Sequence, residues 1–180
     1  MNRNGIDIEL LHGTIESVRE HPEAGAVTVR TRQRWDDGFA VDGRIEEMEQ
    51  AGEITRRTHT FRTDWPEPYG GNTGPTPGLE SIVAAVGACV ATTYVAKAAL
   101  RGVRIDALEV SVEGRVDLQG HFELDSAPAR FSDITVTVGV RSERGDAVLA
   151  DLGKTTALTS PAYDSLAHPV SIGLSVQRLS

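Results

Sequence analysis

The chain of 180 residues contains one cysteine, Cys89. A single cysteine excludes an intramolecular disulfide framework and any zinc site built from several cysteines. The five histidines are scattered without the His-x-x-x-His type of spacing that metal ligands show, so we expect neither a metal nor a cofactor. The sequence also lacks a Gly-x-Ser-x-Gly motif and a phosphate-binding loop that ends in lysine, which argues against a serine hydrolase and against nucleotide chemistry.

Positive charge is scarce. The chain has 18 Lys and Arg against 26 Asp and Glu, a formal net charge of −8. Nucleic acids and anionic membranes attract clustered basic residues, so we expect neither partner. Residues 1–7 lack the apolar run of a signal peptide, and the uncharged run 81–96 is shorter than the roughly 20 residues of a membrane span. The expectation is a soluble cytoplasmic protein.

Hydrophobic spacing predicts the elements of the first half of the chain. Residues 6–19 have the spacing of a short helix, residues 27–35 and 39–46 that of a hairpin, and residues 54–63 that of a third strand. A long Pro/Gly loop over 64–77 follows, and loops of this length tend to be functional. Its end, Thr76-Pro77, forms a credible N-cap and first position of a helix that runs to about Leu100.

The second half continues with strands over 105–118 and 131–141 and a helix over 147–156. Ser160-Pro161 looks like an ordinary N-cap and first helical position of a further helix to Ala167, and residues 170–179 alternate as a closing strand. This order predicts an α+β fold with a mostly antiparallel sheet.

The helix that carries Cys89 is apolar on every face, so it must be buried on all sides. A chain of this size has little material to cover such a helix. Pairing with the same helix of a second copy is the simplest solution, and we therefore predict a two-fold symmetric homodimer.

Cys89 is either a small packing residue or a nucleophile. It lies about three turns into its helix, where the helix dipole no longer acts, so activation of its thiol requires a cation from another segment. The strands offer several arginines for this role: Arg30, Arg32, Arg34, Arg44, Arg56, Arg57 and Arg62. Glu80 precedes Cys89 by nine residues, which places it on the opposite face of the helix. We interpret Glu80 first as a helix-start carboxylate and second as a site residue.

Several motifs together resemble the OsmC/Ohr family, the osmotically inducible and organic hydroperoxide resistance proteins. The motifs are Thr63-Asp-Trp-Pro66, Gly70-Gly71, Gly74-Pro-x-Pro77, Ala84-Ala-Val-Gly-Ala-Cys89, Ser160-Pro-Ala-Tyr-Asp-Ser-Leu166 and His168-Pro-Val170. The resemblance covers residues 24–180 and leaves 1–23 as an N-terminal helical extension. It implies an intertwined homodimer, with antiparallel sheets wrapped around two central helices and with active sites at the dimer interface.

The resemblance also implies roles for individual residues. Cys89 matches the peroxidatic cysteine, which becomes a sulfenic acid when it reduces a peroxide. Ser160 stands where the resolving cysteine would precede proline, so a sulfenic acid at Cys89 would need an external thiol reductant. The family's glutamate after proline is replaced by Gly78, and Glu80 is displaced from that position. The partner arginine is Arg32, Arg34 or Arg44, and we select Arg34, beside Trp35.

Two functions are consistent with these residues. The first is an antioxidant thiol peroxidase of the oxidative stress response, which reduces organic hydroperoxides or hydrogen peroxide through Cys89. The second is a non-catalytic OsmC-like protein that binds a small apolar ligand or serves as an interaction module. A different reaction that uses Ser160 or Tyr163 has only weak support, because the sequence places no base beside either hydroxyl.

Overall fold

The structure is a computed structural model that describes residues 1–72, 78–124 and 126–179. The chain divides into two compact units, Met1–Ala84 and Ala85–Ser180, and the boundary falls within the long helix. The predicted N-cap at Thr76-Pro77 lies outside the described residues.

The first unit contains a two-residue strand pair, a helix and three longer strands. Their bounds are β1 Asn2–Arg3, β2 Ile6–Asp7, α1 Ile8–Glu20, β3 Val27–Trp35, β4 Val41–Gln50 and β5 Glu53–Thr63. The long helix α2 runs over Gly78–Leu100. The second unit continues with β6 Ala107–Val116, α3 Leu118–His121, β7 Phe131–Arg141, α4 Asp146–Thr159 and α5 Pro161–Ala167. These helices and antiparallel strands confirm the predicted α+β class.

Helix α1 is capped by Asp7, whose carboxylate accepts hydrogen bonds from the backbone N–H groups of Glu9 and Leu10 at 3.0 and 3.3 Å. This satisfies two of the donors that every helix N-terminus leaves unpaired. The helix confirms the prediction for residues 6–19, and the cap explains why it begins at Ile8 rather than at Ile6.

Strands β3, β4 and β5 form an antiparallel sheet in that order, with β4 in the centre. The register pairs Trp35 with Val41 at one end and Val27 with Gln50 at the other. Every residue of β3 is exposed, and β5 is exposed except at Thr63. Ion pairs between neighbouring strands replace a buried face, for example Arg30 with Glu47 and Glu49 at 3.0 and 2.9 Å.

The loop after β5 is fixed by a buried carboxylate. Asp64 is 2% exposed. It accepts hydrogen bonds from its neighbour's backbone, Trp65 N–H, at 2.7 Å and from the Asn72 side chain at 3.0 Å. The Asn72 hydrogen bond is the main cause of a pKa of Asp64 below its ordinary value. A β-carbon at Gly71 would overlap the Trp65 carbonyl, which explains the need for glycine there.

The core of the second unit forms where α2 packs with α4. Tyr94, Ala98, Val103 and Leu152 are almost completely buried and contact one another. The Tyr94 hydroxyl donates a hydrogen bond to the Leu149 carbonyl at 2.9 Å, and burial raises the pKa of Tyr94 above its ordinary value. Strands β6 and β7 pair with each other along their whole length, from Ala107 with Arg141 to Val116 with Phe131.

The prediction of a closing strand over 170–179 is wrong for the single chain, whereas the burial of α2 on all sides was predicted for a homodimer and stays a prediction. In the single chain, α2 is buried at Val86, Val90, Tyr94, Ala98 and Ala99, while Ile82 is 43% exposed. Residues 169–179 form no strand, and Ile172, for example, is 87% exposed. An alternating segment can form a strand only where another strand offers a free edge to pair with. In the described chain, no strand pairs with residues 169–179.

By length and composition, α2 is the one helix among the described residues that meets the requirements of a membrane span. The uncharged run 81–96 lies inside this helix, which has 23 residues and is longer than the run itself. Buried helices of globular proteins meet the same two requirements, so its length and composition do not distinguish a span from a core helix.

Candidate functional site

Cys89 lies on α2 in the second unit as a free, half-buried thiol. The hydroxyl of Thr92, one turn later, donates to the Ala88 carbonyl at 3.0 Å and lies 3.1 Å from the Cys89 carbonyl. These hydrogen bonds hold the backbone and leave the sulfur unengaged. Within the described residues, the Cys89 sulfur makes no hydrogen bond, so activation of the thiol requires a cation or base from elsewhere.

Glu80 is exposed in the first turn of α2, and the described residues give it no hydrogen bond or ion pair. Nine residues of one continuous helix separate it from Cys89, which puts the two side chains on opposite faces. A carboxylate in the first turn complements the positive end of the helix dipole. The structure therefore agrees with the interpretation of Glu80 as a helix-start residue.

The candidate arginines of the first unit differ in how strongly they are engaged. Glu46 accepts hydrogen bonds from both Arg32 and Arg44 at 2.8 Å, and these bonds lower the pKa of Glu46 from 4.5 to about 2. Arg62 donates to Asp36 and Asp42, both at 2.7 Å. These arginines are already paired with carboxylates.

Arg34 has no ion pair or hydrogen bond within the described residues, although it lies between engaged neighbours on the same sheet. It lines a groove of about 610 Å3 together with Arg32, Arg44 and Arg62. Arg34 and Glu80 belong to the first unit, whereas Cys89 and Ser160 belong to the second. Among Arg32, Arg34 and Arg44, Arg34 is the one without an ion pair or hydrogen bond in the described residues.

The hydroxyl of Ser160 does not cap helix α5, which corrects the interpretation of Ser160-Pro161 as an ordinary cap. Ser160 occupies the N-cap position and Pro161 begins the helix, but the Ser160 side chain makes no capping hydrogen bond. Ser160 is completely buried, and its Oγ has no partner in the described residues. Thr156, one turn earlier on α4, is also buried with an unpaired Oγ1.

Two unpaired hydroxyls four residues apart at a helix junction are unusual, because buried polar groups are nearly always hydrogen-bonded. Sequence reasoning missed Thr156. The available signal was its spacing of four residues from Ser160, which places Thr156 one turn before Ser160 at the end of α4.

A cleft of about 230 Å3 opens beside the central helix in the second unit. It is lined by Val86, Phe131, Ser132, Asp133, Ile134, Tyr163, Leu166 and Ala167. Val86 precedes Cys89 by three residues, so their β-carbons lie roughly 5–6 Å apart on one helix face. Among the described residues, no group of three or more His, Cys, Asp or Glu side chains is placed to hold a metal ion.

Comparison with known proteins defines the class. Residues 70–175, more than half of the chain, match the family model of OsmC-like proteins. The chain therefore belongs to the OsmC-like protein family, which confirms the resemblance inferred from its motifs. No curated protein sequence matches the chain.

Solved structures show the same fold at low sequence identity. An OsmC-like protein from Mycoplasma pneumoniae has a TM-score of 0.61 at 12% identity and covers 79% of this chain and 89% of its own. An organic hydroperoxide resistance protein OsmC from Legionella pneumophila has a TM-score of 0.55 at 12% identity, with coverages of 77% and 88%. An OsmC-like protein of unknown function from Vibrio cholerae has a TM-score of 0.54 at 10% identity, with coverages of 77% and 92%.

Proposed function

We propose that this protein is a cytoplasmic antioxidant enzyme that reduces organic hydroperoxides or hydrogen peroxide through Cys89. The observation that carries the proposal is the position of Cys89: the chain's one cysteine is a half-buried free thiol on the long helix of an OsmC fold. A structurally similar protein from Legionella pneumophila is named for organic hydroperoxide resistance, which supports a peroxide-related role.

The reaction begins with attack of the Cys89 thiolate on the terminal oxygen of the hydroperoxide. An S–O bond forms, the O–O bond breaks, and the alkoxide leaves as an alcohol after it takes up a proton. Cys89 is now a sulfenic acid. Because the chain has no second cysteine, an external thiol attacks the sulfenic sulfur and releases water, and a second thiol then restores Cys89 and leaves with the first as a disulfide.

We assign the activation of the thiol to Arg34. A cation beside a thiol favours the thiolate, and a guanidinium that is already paired with a carboxylate contributes little net charge. Arg32 and Arg44 share the carboxylate of Glu46, whereas Arg34 is free of ion pairs in the described residues. This difference supports the choice of Arg34 among the three arginines.

We further propose that the working form is a homodimer. In the single chain, large apolar side chains are exposed on three elements: Val29 and Trp35 on β3, Ile82 on α2, and the tail residues Ile172, Leu174 and Val176. Exposed apolar surface of this extent marks an interaction site. A second copy of the chain would cover these elements.

The test is the rate at which Cys89 is oxidised by cumene hydroperoxide and by hydrogen peroxide, with the sulfenic acid trapped by dimedone and detected by intact mass. We expect oxidation much faster than that of a free thiol, and no consumption of peroxide by Cys89→Ser. Arg34→Ala should slow the reaction by about tenfold or more, since an activating cation shifts a thiol pKa by a unit or more. Arg56→Ala is the matched control, because Arg56 is also an exposed strand arginine without an ion pair in the described residues.

A non-catalytic role is the second candidate. It is favoured by the unengaged sulfur of Cys89, by Ser160 at the position of a resolving cysteine and by Gly78 after Pro77. Oxidation of Cys89 no faster than that of a free thiol, with equal peroxide consumption by wild type and Cys89→Ser, would reject the peroxidase and favour a ligand-binding protein.

A further inference from the structure

A groove on the sheet of the first unit is rich in arginine, although the chain has a net charge of −8. Six of its lining residues lie on one face of the sheet, because residues opposite each other in an antiparallel pair point to the same side. These residues are Arg32, Arg34, Asp42, Arg44, Thr60 and Arg62. The volume of the groove, about 610 Å3, is sufficient for a small organic molecule.

Arg32 and Arg44 share one carboxylate and keep most of their hydrogen-bond donors. The Nε–H of Arg32 and an Nη2–H of Arg44 both bind the same oxygen of Glu46, at 2.8 Å. Within the described residues, neither guanidinium has a further hydrogen bond or ion pair. Glu46, with a pKa of about 2, is ionised at neutral pH, so the two arginines and this carboxylate together carry one positive charge. The remaining N–H groups can bind a second carboxylate in the bidentate way that guanidinium groups favour.

The other side of the same face repels a carboxylate. Arg62 donates to Asp36 and Asp42, both at 2.7 Å, so one guanidinium meets two carboxylates and this side has a net negative charge. An anionic group that enters the groove is therefore directed to Arg32 and Arg44. The charges orient a ligand that has a carboxylate at one end and an uncharged group at the other.

Arg34 lies beside Arg32 on the same face of β3. The two residues are separated by one position, and their Cα atoms are therefore about 6.6 Å apart. The role of Arg34 rests on the proposed function, which assigns this residue to the thiol of Cys89. A compact molecule with a carboxylate at one end and a thiol at the other spans this distance, with the carboxylate on Arg32 and the sulfur beside Arg34.

We propose that this groove binds a compact thiol that carries a carboxylate, and that this thiol is the external reductant of Cys89. One molecule forms an S–S bond with the sulfenic sulfur, and water leaves. A second molecule attacks the mixed disulfide, so Cys89 returns to a thiol and the two molecules leave as a disulfide. A chain with one cysteine consumes two such molecules in every turnover.

The binding test uses 3-mercaptopropanoate and Cys89→Ser protein, so that the thiol cannot react with the protein. The methyl ester of the same thiol is the neutral match. NMR titration should show saturable shifts of the Arg32 and Arg44 Nε–H signals, with a Kd for the carboxylate on the order of 1 mM. The ester should bind at least about threefold more weakly, and added salt should weaken the carboxylate more than the ester, because salt screens exposed charges.

Three variants separate recognition of charge from a structural role. Arg44→Gln removes one guanidinium and should weaken binding of the carboxylate about three- to fivefold, the range of an exposed ion pair. Glu46→Gln removes the competing negative charge and should strengthen binding about twofold or more, although it breaks the same ion pairs. Arg56→Gln is the control, because Arg56 is an exposed arginine of the same sheet outside the groove, and it should leave the affinity unchanged.

The opposite signs expected for Arg44→Gln and Glu46→Gln make this comparison decisive, since damage to the sheet would weaken binding in both variants. The proposal is overturned if the ester binds as well as the carboxylate, if these two variants shift the affinity in the same direction, or if Arg56→Gln acts like Arg44→Gln.

The rate of reduction tests the role of the thiol as reductant. The protein is oxidised with one equivalent of cumene hydroperoxide, and the loss of the sulfenic acid is followed by dimedone trapping after each thiol is added. The ratio of the carboxylate rate to the ester rate cancels the part of each thiol's own reactivity that is common to all variants. Arg44→Gln should lower this ratio about three- to fivefold, and Glu46→Gln should raise it.

The two proposals fail in different ways. Selective binding of the carboxylate without oxidation of Cys89 would retain the carboxylate site and reject the peroxidase, and with it the reductant role. Rapid oxidation of Cys89, with a rate ratio that is the same in wild type and all variants, would retain the peroxidase and reject the groove as the site of its reductant.

Discussion

The sheet of the first unit and the core of the second unit are stabilised in opposite ways. Strand β3 exposes all nine of its residues, and two of its arginines, Arg30 and Arg32, pair with carboxylates of β4. In the second unit, Leu152 and Ala98 are completely buried between two helices. Exposed ion pairs contribute little to stability, about 0 to 1 kcal/mol each, whereas a fully buried apolar side chain contributes about 1.5–3 kcal/mol. The second unit therefore has a core of its own, and the sheet of the first does not.

This difference indicates where a partner is needed. Three strands are stable in water when they have an apolar face to bury or another element to pack on. The sheet has apolar side chains to bury, among them Val27, Val29 and Ile54, and all three are at least half exposed in the single chain. In the proposed dimer, the second copy would bury these side chains, whereas the core around Leu152 forms within one chain.

The largest effect on stability should come from a change in the core around Leu152. Leu152→Ala deletes a side chain with no exposed surface and should lower the free energy of unfolding by about 2–5 kcal/mol, through lost burial and the cavity left behind. Leu158→Ala is the control on the same helix, because Leu158 is 76% exposed, and it should change stability by less than about 0.5 kcal/mol. Urea denaturation of both variants at one protein concentration measures the two changes. Equal losses in the free energy of unfolding would contradict the prediction.

The second effect concerns the C-terminal tail. If the apolar tail is covered by a second copy, Ile172→Asp should weaken the dimer by about 10- to 100-fold, since burial of an isoleucine is worth about 1.5–3 kcal/mol. Ser171→Asp places the same charge one residue earlier, on the opposite side of an extended chain, and should have little effect. Sedimentation equilibrium measures both. A monomeric wild type, or equal effects of the two variants, would reject coverage of the tail.

The tail also shows what sequence could and could not predict. Hydrophobic periodicity predicted the bounds of α1, the hairpin β3–β4 and the strand pair β6–β7 to within a few residues. These elements form contacts with segments that are close to them in the sequence. Periodicity failed for residues 170–179, since alternation states what a segment can bury but not which strand pairs with it. The burial of α2 on all sides depends on the proposed dimer and stays a prediction. Cys89 lies within α2 as the helix prediction placed it, and Ser160 stands at the N-cap position of α5. The free state of Arg34 and the unpaired Ser160 hydroxyl depend on side-chain geometry, which spacing does not contain.

A third, smaller effect compares the starts of two helices. Asp7 caps α1 with two hydrogen bonds, so Asp7→Ala should destabilise by about 1 kcal/mol. Ser160 stands at the same position of α5 without a capping bond, so Ser160→Ala should be neutral or stabilising, since it removes a buried hydroxyl that has no partner in the described residues. Thermal unfolding of both variants tests the sign. A loss at Ser160 as large as that at Asp7 would mean that the hydroxyl is paired in the protein in solution.

The smallest effect tests the ion pairs of the first sheet through pH. Hydrogen bonds from Arg32 and Arg44 lower the pKa of Glu46 to about 2 from 4.5. Because the pKa is lower in the folded protein, the stabilisation is complete above about pH 4.5 and is lost as pH falls towards 2. Glu46→Gln should therefore lower Tm slightly at neutral pH, and its difference from wild type should shrink between pH 4.5 and 2. Glu53→Gln removes a carboxylate without an ion pair in the described residues of the same sheet, so its Tm difference from wild type should be smaller than that of Glu46→Gln throughout this range. A constant difference for Glu46→Gln would show that the exposed Arg32–Glu46–Arg44 cluster is too well solvated to stabilise the sheet, which would leave apolar coverage as its main source of stability.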